Sequence, residues 1–231
     1  MKKSKRNILK FTGLSNEVFE IFRYELNMLL LRLNSRFNLL KIHRLKKFKN
    51  QPNIKLNIGA GPFGEDGWVN IDTFKHTKIS FTYDCRKKIP FKTATVHKIR
   101  CEHFLEHMDK IYETPIFLAE CKRVLKNDGI LRIIVPDIEK YIKAYYENNW
   151  KIVGLDIDSM PEWQGAEVLS HIFRQGGEHK FGYDFHSISN LLYDVGFKKV
   201  LKSEFAKSFD SDLKNDQHNH QLYSLYVDAI K

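Results

Sequence analysis

Cysteine is scarce: Cys85, Cys101 and Cys121 are the three in 231 residues, and no two form a CxxC pair. So odd and dispersed a set argues against a disulfide framework or a zinc knuckle and suits a reducing cytoplasm. Long apolar runs are missing too. The run from Met28 to Leu31 ends at Arg32, far short of the ~20 apolar residues of a membrane span. Residues 1–10 are basic but have no apolar stretch directly behind them, so neither secretion nor membrane spanning is expected. No internal repeat or low-complexity tract is evident. What remains is 42% hydrophobic and 13% aromatic, enough to bury a full core in one principal domain.

Acidic residues are rare only at one end. Residues 1–50 hold 13 Lys or Arg against 3 Asp or Glu, which gives +10, and residues 51–231 hold 25 of each sign. The basic character therefore belongs to an N-terminal arm, and a nucleic-acid footprint on the remainder has no support from composition. Within the arm, Val18, Phe22, Leu26, Leu29, Leu33, Phe37 and Leu40 recur every three or four residues, the spacing of one apolar helix face. Such a basic amphipathic helix suits packing on the main domain, packing on a second copy of the chain, or peripheral contact with anionic lipid, the last because Arg32, Arg36, Lys41, Arg44, Lys46, Lys47 and Lys49 gather towards its end. Gln51, Pro52 and Asn53 break the pattern and mark a boundary between an arm, 1–52, and a main domain, 53–231. Because the ligand motifs begin only at Lys55, the arm is expected to be separable from them.

From Ile54 onward short apolar runs alternate with helical stretches, the signature of a doubly wound α/β domain with a largely parallel sheet. The pattern predicts strands near 54–58, 68–72, 79–84, 96–101 and 130–135, a helix from Asp109 to Lys126, a helix from Pro136 to about Asn148, one ending at Gly196, and late strands near 197–205 and 222–230, each boundary good to ~2–4 residues. The last strand is expected antiparallel, and residues 149–185 read as a lid-like insertion.

The first chemical signal is Lys55-Leu-Asn57-Ile-Gly59-Ala60-Gly61-Pro62-Phe-Gly64. It is a glycine turn at the carboxyl end of the first core strand, where open α/β sheets admit a ligand close to the backbone. Pro62, Gly64 and Gly67 leave no room for the helix that would hold a pyrophosphate, since Trp68-Val-Asn-Ile-Asp72 already reads as the second strand. At the end of that strand the Asp72 carboxylate can accept hydrogen bonds from both ribose hydroxyls. A ligand with a ribose and no phosphate therefore fits better than a dinucleotide. Ten residues between these strands is short for a parallel crossover.

Five motifs follow in order: Gly59-Ala-Gly61-Pro62, Gly67-Trp68-Val-Asn70-Ile-Asp72, Glu102-His103-Phe-Leu105-Glu106-His107, Arg123-Val-Leu-Lys126-Asn-Asp-Gly129 and Val135-Pro136. Over roughly residues 54–230 the chain resembles the class I S-adenosylmethionine-dependent methyltransferases, in particular the type 11-like group with GxGP, GWxNxD, EHxLEH and RVLKxxG. The resemblance implies a Rossmann-like methyltransferase sheet with S-adenosylmethionine as cofactor, held by Asn57, Gly59, Ala60, Gly61, Asp72, Asp84, Cys85, Cys101 and Glu102. Asp84 and Cys85 would lie beside the adenine, and the exit from the fourth strand near the methyl group. Where many members carry a carboxylate in the first strand, this chain has Asn57.

Methyl transfer from a sulfonium draws its power from the cofactor, so the protein mainly aligns donor and acceptor and removes a proton. His103 is the candidate base, against the plainer reading that Glu102, His103, Glu106 and His107 only fix the turn. His103 and His107 stand four apart, but with no third ligand in view no metal site is assigned. His107, His179, Lys180 and Tyr183 are candidate acceptor-binding residues, the last three from an HKxxYD-like segment. His218-Asn-His220 reads as a solvated loop. The expected activity is O- or N-methylation of a small molecule or saccharide, the saccharide resting on the resemblance alone. Two alternatives stand beside it: a catalytically inactive cofactor-binding or accessory protein on the same fold, and a nucleic-acid methyltransferase guided by the basic arm. Against the second, Val135-Pro136-Asp137 is no DPPY-type signature and no Pro-Cys nucleophile occurs.

Overall fold

In Ile54–Ile58, strand β1, apolar residues alternate with Lys55 and Asn57, and strands built this way put one face in a core and the other against polar partners. A computed structural model of the chain, which describes residues 13, 15–157 and 165–231, arranges seven such strands in the order β3-β2-β1-β4-β5-β7-β6. They are β1, β2 (Val69–Asp72), β3 (Phe81–Thr82), β4 (Val96–Glu102), β5 (Leu125–Pro136), β6 (Lys199–Ser203) and β7 (Ser224–Ile230). The first five run parallel, and β7 lies antiparallel between β5 and β6. This is the expected doubly wound, Rossmann-like sheet with its antiparallel C-terminal strand.

The register sorts the side chains into two faces. Leu56, Ile58, Ile99, Cys101, Leu131, Ile133 and Val227 fall on one, and helices α3 (Thr114–Val124) and α6 (Phe185–Asp194) bury Phe117, Leu118, Cys121, Ile188 and Leu192 in the same core. Asn57, Lys98, Arg100, Glu102, Arg132 and Asp228 fall on the other. There the long β6–β7 connection folds back and supplies the counter-charges. Arg132 is fully buried between Asp216, at 2.6 Å, and Asp228, at 2.7 Å. Lys98 reaches Asp210 at 2.6 Å, and Arg100 donates to the Asn215 carbonyl at 2.6 Å and pairs with Glu65.

The ten-residue link from β1 to β2 is made without a helix. Gly59 and Ala60 donate to the Ile71 carbonyl, and buried Asn70 clamps the loop by bonding Glu65 N, Glu65 O and Lys78 O. The helix expected from Asp109 begins at Thr114, because Asp109 accepts from Ile111 and Tyr112 and so forms a turn of its own.

The arm differs from the single helix its stripe suggests. Two helices, α1 (Asn16–Phe37) and α2 (Leu39–Lys49), meet at Asn38, whose extended backbone breaks the spiral. Ser15 caps the first, accepting from Val18 N. Leu45 and Phe48 pack on the main domain, with Phe48 5.8 Å from Phe81, and Met28 is buried, while Phe22, Leu30, Phe37 and Leu39 stay exposed. Of the region 149–185, residues 158–164 lie outside those described; around them α4 (Ile138–Tyr146) and α5 (Ala166–Arg174) share a small second core with Trp150 and Val153.

Candidate functional site at the carboxyl ends of strands β1, β2 and β4

Gly59 leaves β1 with φ +73, and a Cβ there would stand 2.8 Å from the Phe104 ring, so the turn and the β4 exit touch with only glycine between them. Gly61, at φ +49, has nothing within 4 Å of where its Cβ would be. Its N–H donates to Asp72 Oδ2 at 2.8 Å, and Phe74 N–H donates to Oδ1 at 2.8 Å. Each carboxylate oxygen keeps a further lone pair, so Asp72 is fixed in place and still able to accept from a ligand.

Asn57 has a different position from the one expected. It is 4% exposed and donates to Asn70 Oδ1 at 3.2 Å, which makes it a support of the glycine loop rather than a group facing a ligand. Cys85 and Cys101 are buried, their thiols pushed well up by that burial, so only their backbone can border a cofactor. Asp84 holds Arg86 at 3.0 Å and Arg32 of the arm at 2.8 Å. Burial by itself would raise this carboxyl, but hydrogen bonds from the two arginines hold it below the ordinary aspartate value. Arg86 also bonds Glu25 and Glu113 and lies over the Tyr24 ring. The arm is thus joined to Asp84, a residue of the expected cofactor site.

Beyond β4 the chain turns sharply, with His103 in the left-handed region at φ +49. Its Nε2 lies 2.9 Å from the Ser224 hydroxyl and its Nδ1 3.1 Å from Glu106 Oε1. The His220 ring stacks 3.9 Å away, and Glu102 accepts from His220 Nδ1 at 2.9 Å and from Gln217 N–H at 3.2 Å. His220 is therefore part of the site and not a solvated loop residue, and Tyr223 closes the same aromatic edge at 5.6 Å, its hydroxyl pushed up to about 12 by burial. Burial works against the Glu106 charge, yet the facing His103 and His107 keep its carboxyl below the usual glutamate value.

The HKxxYD-like segment divides. His179 comes within 5.0 Å of the His107 ring, while Lys180 pairs with Glu113 at 3.2 Å. Tyr183 is 0% exposed and bonded to Thr114 Oγ1, so it lies in the core. Asp184 caps α6.

Residues 72–133 match a family model described as a methyltransferase domain. That stretch, from the end of β2 into β5, is similar to a methyltransferase domain. The open glycine turn and the spare lone pairs of Asp72 fit the S-adenosylmethionine that the sequence resemblance implies. No curated protein matches the sequence. Among solved structures, a methyltransferase of Thermotoga maritima described as S-adenosylmethionine-dependent and a possible histamine N-methyltransferase is 15% identical, with 93% of this chain and 96% of that one covered at TM-score 0.48. A methyltransferase from Archaeoglobus fulgidus is 16% identical, with 86% and 98% covered at TM-score 0.48. A phosphoethanolamine N-methyltransferase of Haemonchus contortus, solved with S-adenosylmethionine, is 13% identical, with 82% and 51% covered at TM-score 0.46.

Proposed function

We propose that this chain is an S-adenosylmethionine-dependent methyltransferase acting on an oxygen or nitrogen of a small-molecule or saccharide acceptor, with His103 as the base. The observation that carries the reading is the placement of that imidazole. The Glu106 carboxylate 3.1 Å from Nδ1 falls short of a well-aligned hydrogen bond, but its charge favours the tautomer with the ring hydrogen on Nδ1, which leaves the lone pair on Nε2, directed at Ser224. An acceptor hydroxyl or amine that takes the place of Ser224 at Nε2 gives up its proton there. Bound S-adenosylmethionine supplies an electrophilic methyl group. Gly59, Ala60, Gly61 and Asp72 would hold it beside the β4 exit, and Phe104 against Gly59 fixes the spacing of the two. The balanced charge of residues 51–231 supports a small acceptor over a nucleic acid.

Calorimetry with S-adenosylmethionine and NAD tests the cofactor. Asp72→Ala should weaken the former by about 1.5–3 kcal/mol, as for hydrogen bonds to a charged group, whereas tight NAD binding with no affinity for the methyl donor overturns the reading. Across a panel of sugar and amine acceptors, His103→Ala should lower turnover by ~10² with cofactor affinity unchanged. Normal turnover in that variant removes the base. Cofactor binding with no turnover on any acceptor favours the accessory-protein alternative.

The arm supports a second element of the reading, attachment to an anionic membrane surface. No described helix is long and apolar enough to cross a membrane. Phe22, Leu30, Phe37 and Leu39 are nevertheless exposed, and Lys46, Lys47 and Lys49 lie in the last turn of α2. Sedimentation with anionic vesicles, weakened by salt, is the expected result; a dimer by light scattering with no vesicle binding assigns the same face to a second copy.

A further inference from the structure

We propose that Glu106, His107 and His179 form a site for one divalent cation of the zinc class. Among the described residues this is the one group of three potential ligands whose coordinating atoms all lie within 4.8 Å of one another. Both imidazoles are preset for the task. His107 Nδ1 lies 3.1 Å from the Glu178 carbonyl and His179 Nδ1 2.7 Å from the Ile172 carbonyl. A carbonyl can only accept, so each Nδ1 carries the ring hydrogen and each Nε2 is left with a lone pair. Donation of the second ring nitrogen to a backbone carbonyl is the usual outer support of a metal-bound histidine.

Glu106 is the independent sign that something is owed to this place. It is 1% exposed, and neither carboxylate oxygen has a hydrogen-bond partner of good alignment, His103 Nδ1 standing 3.1 Å from one of them without making such a bond. An ionised carboxylate buried this way calls for a cation. The three ligands are also held together before any ion arrives, because Lys180 N–H and Phe181 N–H donate to the Glu106 carbonyl at 2.8 and 3.3 Å. Glu106 and His179 line a narrow cavity with room for little more than a water molecule, too small for an organic ammonium.

The donor set selects the ion. Two imidazoles and one carboxylate suit zinc, cobalt, nickel or ferrous iron, whereas magnesium and calcium favour all-oxygen cages. Three protein ligands leave a fourth position for water or an acceptor oxygen. The cation would tie the turn Leu105–His107 to the segment after α5 and hold Glu106 towards His103. The proposal does not depend on the identity of the methyl acceptor.

The test uses the full chain, dialysed against a chelator and titrated with Zn²⁺ by calorimetry and with Co²⁺ by visible absorption. One equivalent should bind at or below micromolar concentration, with the cobalt bands of a nitrogen and oxygen site. His107→Ala and His179→Ala should each weaken Zn²⁺ by ~100-fold or more, given that even outer-sphere losses reach 10–100-fold, and Glu106→Gln should weaken it while keeping side-chain volume. Mg²⁺ should not compete. His107→Gln and His179→Gln replace any alanine variant that does not fold, as judged by circular dichroism. Absence of a stoichiometric site in the folded wild-type chain overturns the proposal. So does Zn²⁺ affinity that survives loss of both histidines in folded protein, which would place the metal elsewhere among the ten histidines.

Discussion

The two faces of the sheet are held by different physics. On the face of Leu56, Ile99 and Ile133, helices α3 and α6 are gripped by apolar burial, which is non-directional and tolerates many shapes. On the face of Arg100, Glu102 and Arg132, a connection of irregular backbone is gripped by buried charges whose partners are individually specified. The second arrangement is the more fragile, since an ion left without its partner in a dry interior is far worse than a missing methyl group. It also serves the site. The chain that carries Asp216 continues through Gln217 and His220 to Ser224, so the pairs that pin the loop also set the residues around His103.

The largest effect should come from Arg132→Ala, which strands Asp216 and Asp228 and should cost about 3–5 kcal/mol in denaturant unfolding. Replacing the triad together, as Arg132→Met with Asp216→Leu and Asp228→Leu, should recover most of that. If the single variant is as mild as a surface change, the contrast between the faces fails. Ile133→Val on the helix-covered face should cost only about 0.5–1.5 kcal/mol, and an effect as large as that of Arg132→Ala would show the apolar face to be equally exacting. Smallest of all should be Arg32→Ala, about 0.2–1 kcal/mol, because Arg32 is the partly exposed end of the pair and buried Asp84 keeps its bonds to Arg86, read as faster hydrogen exchange in α1. The same contact has a pH signature. Because the folded Asp84 carboxyl sits below its unfolded value, its contribution is complete above ~3.9 and is lost as pH falls through the folded value. Protection of α1 should therefore decline only in acid below ~3.9, and Asp84→Asn should abolish that dependence. A decline already at neutral pH would assign the arm's docking to another group.

Much of the fold was legible because it is periodic. Ile54–Ile58, the helix face of Phe117, Cys121 and Val124, and the late pair β6 and β7 all follow from local alternation, which needs no distant partner. The turn at Gly59 and the acceptor at Asp72 were legible for a related reason: their chemistry sits at the end of a strand. Arg100, Arg132 and His220 were not, because their partners come from across the sheet and a single sequence shows no pairing. The polar members of β4, Lys98, Arg100 and Glu102 at every second position, were the available signal that its second face meets charge and not a helix. The burial of Tyr183 is not legible either, because a tyrosine among charged neighbours looks exposed, while its hydroxyl is satisfied inside by Thr114. Likewise His107 found its neighbour in His179, beyond a whole strand and three α-helices, and no local spacing announces such a meeting.

Cys85, Cys101 and Cys121 all lie in the main core, Cys85 just after β3 and Cys101 at the end of β4, whose exit touches the glycine turn. With thiols this deep, and held protonated by burial, a small alkylating reagent meets them only when the core breathes. Their labelling rates thus give the molecule a built-in clock of internal opening, read from the inside of the sheet without any added probe. A ligand seated at the turn would slow the hands at Cys85 and Cys101 before it slowed Cys121, so the order of protection would report which part of the core a bound molecule quiets.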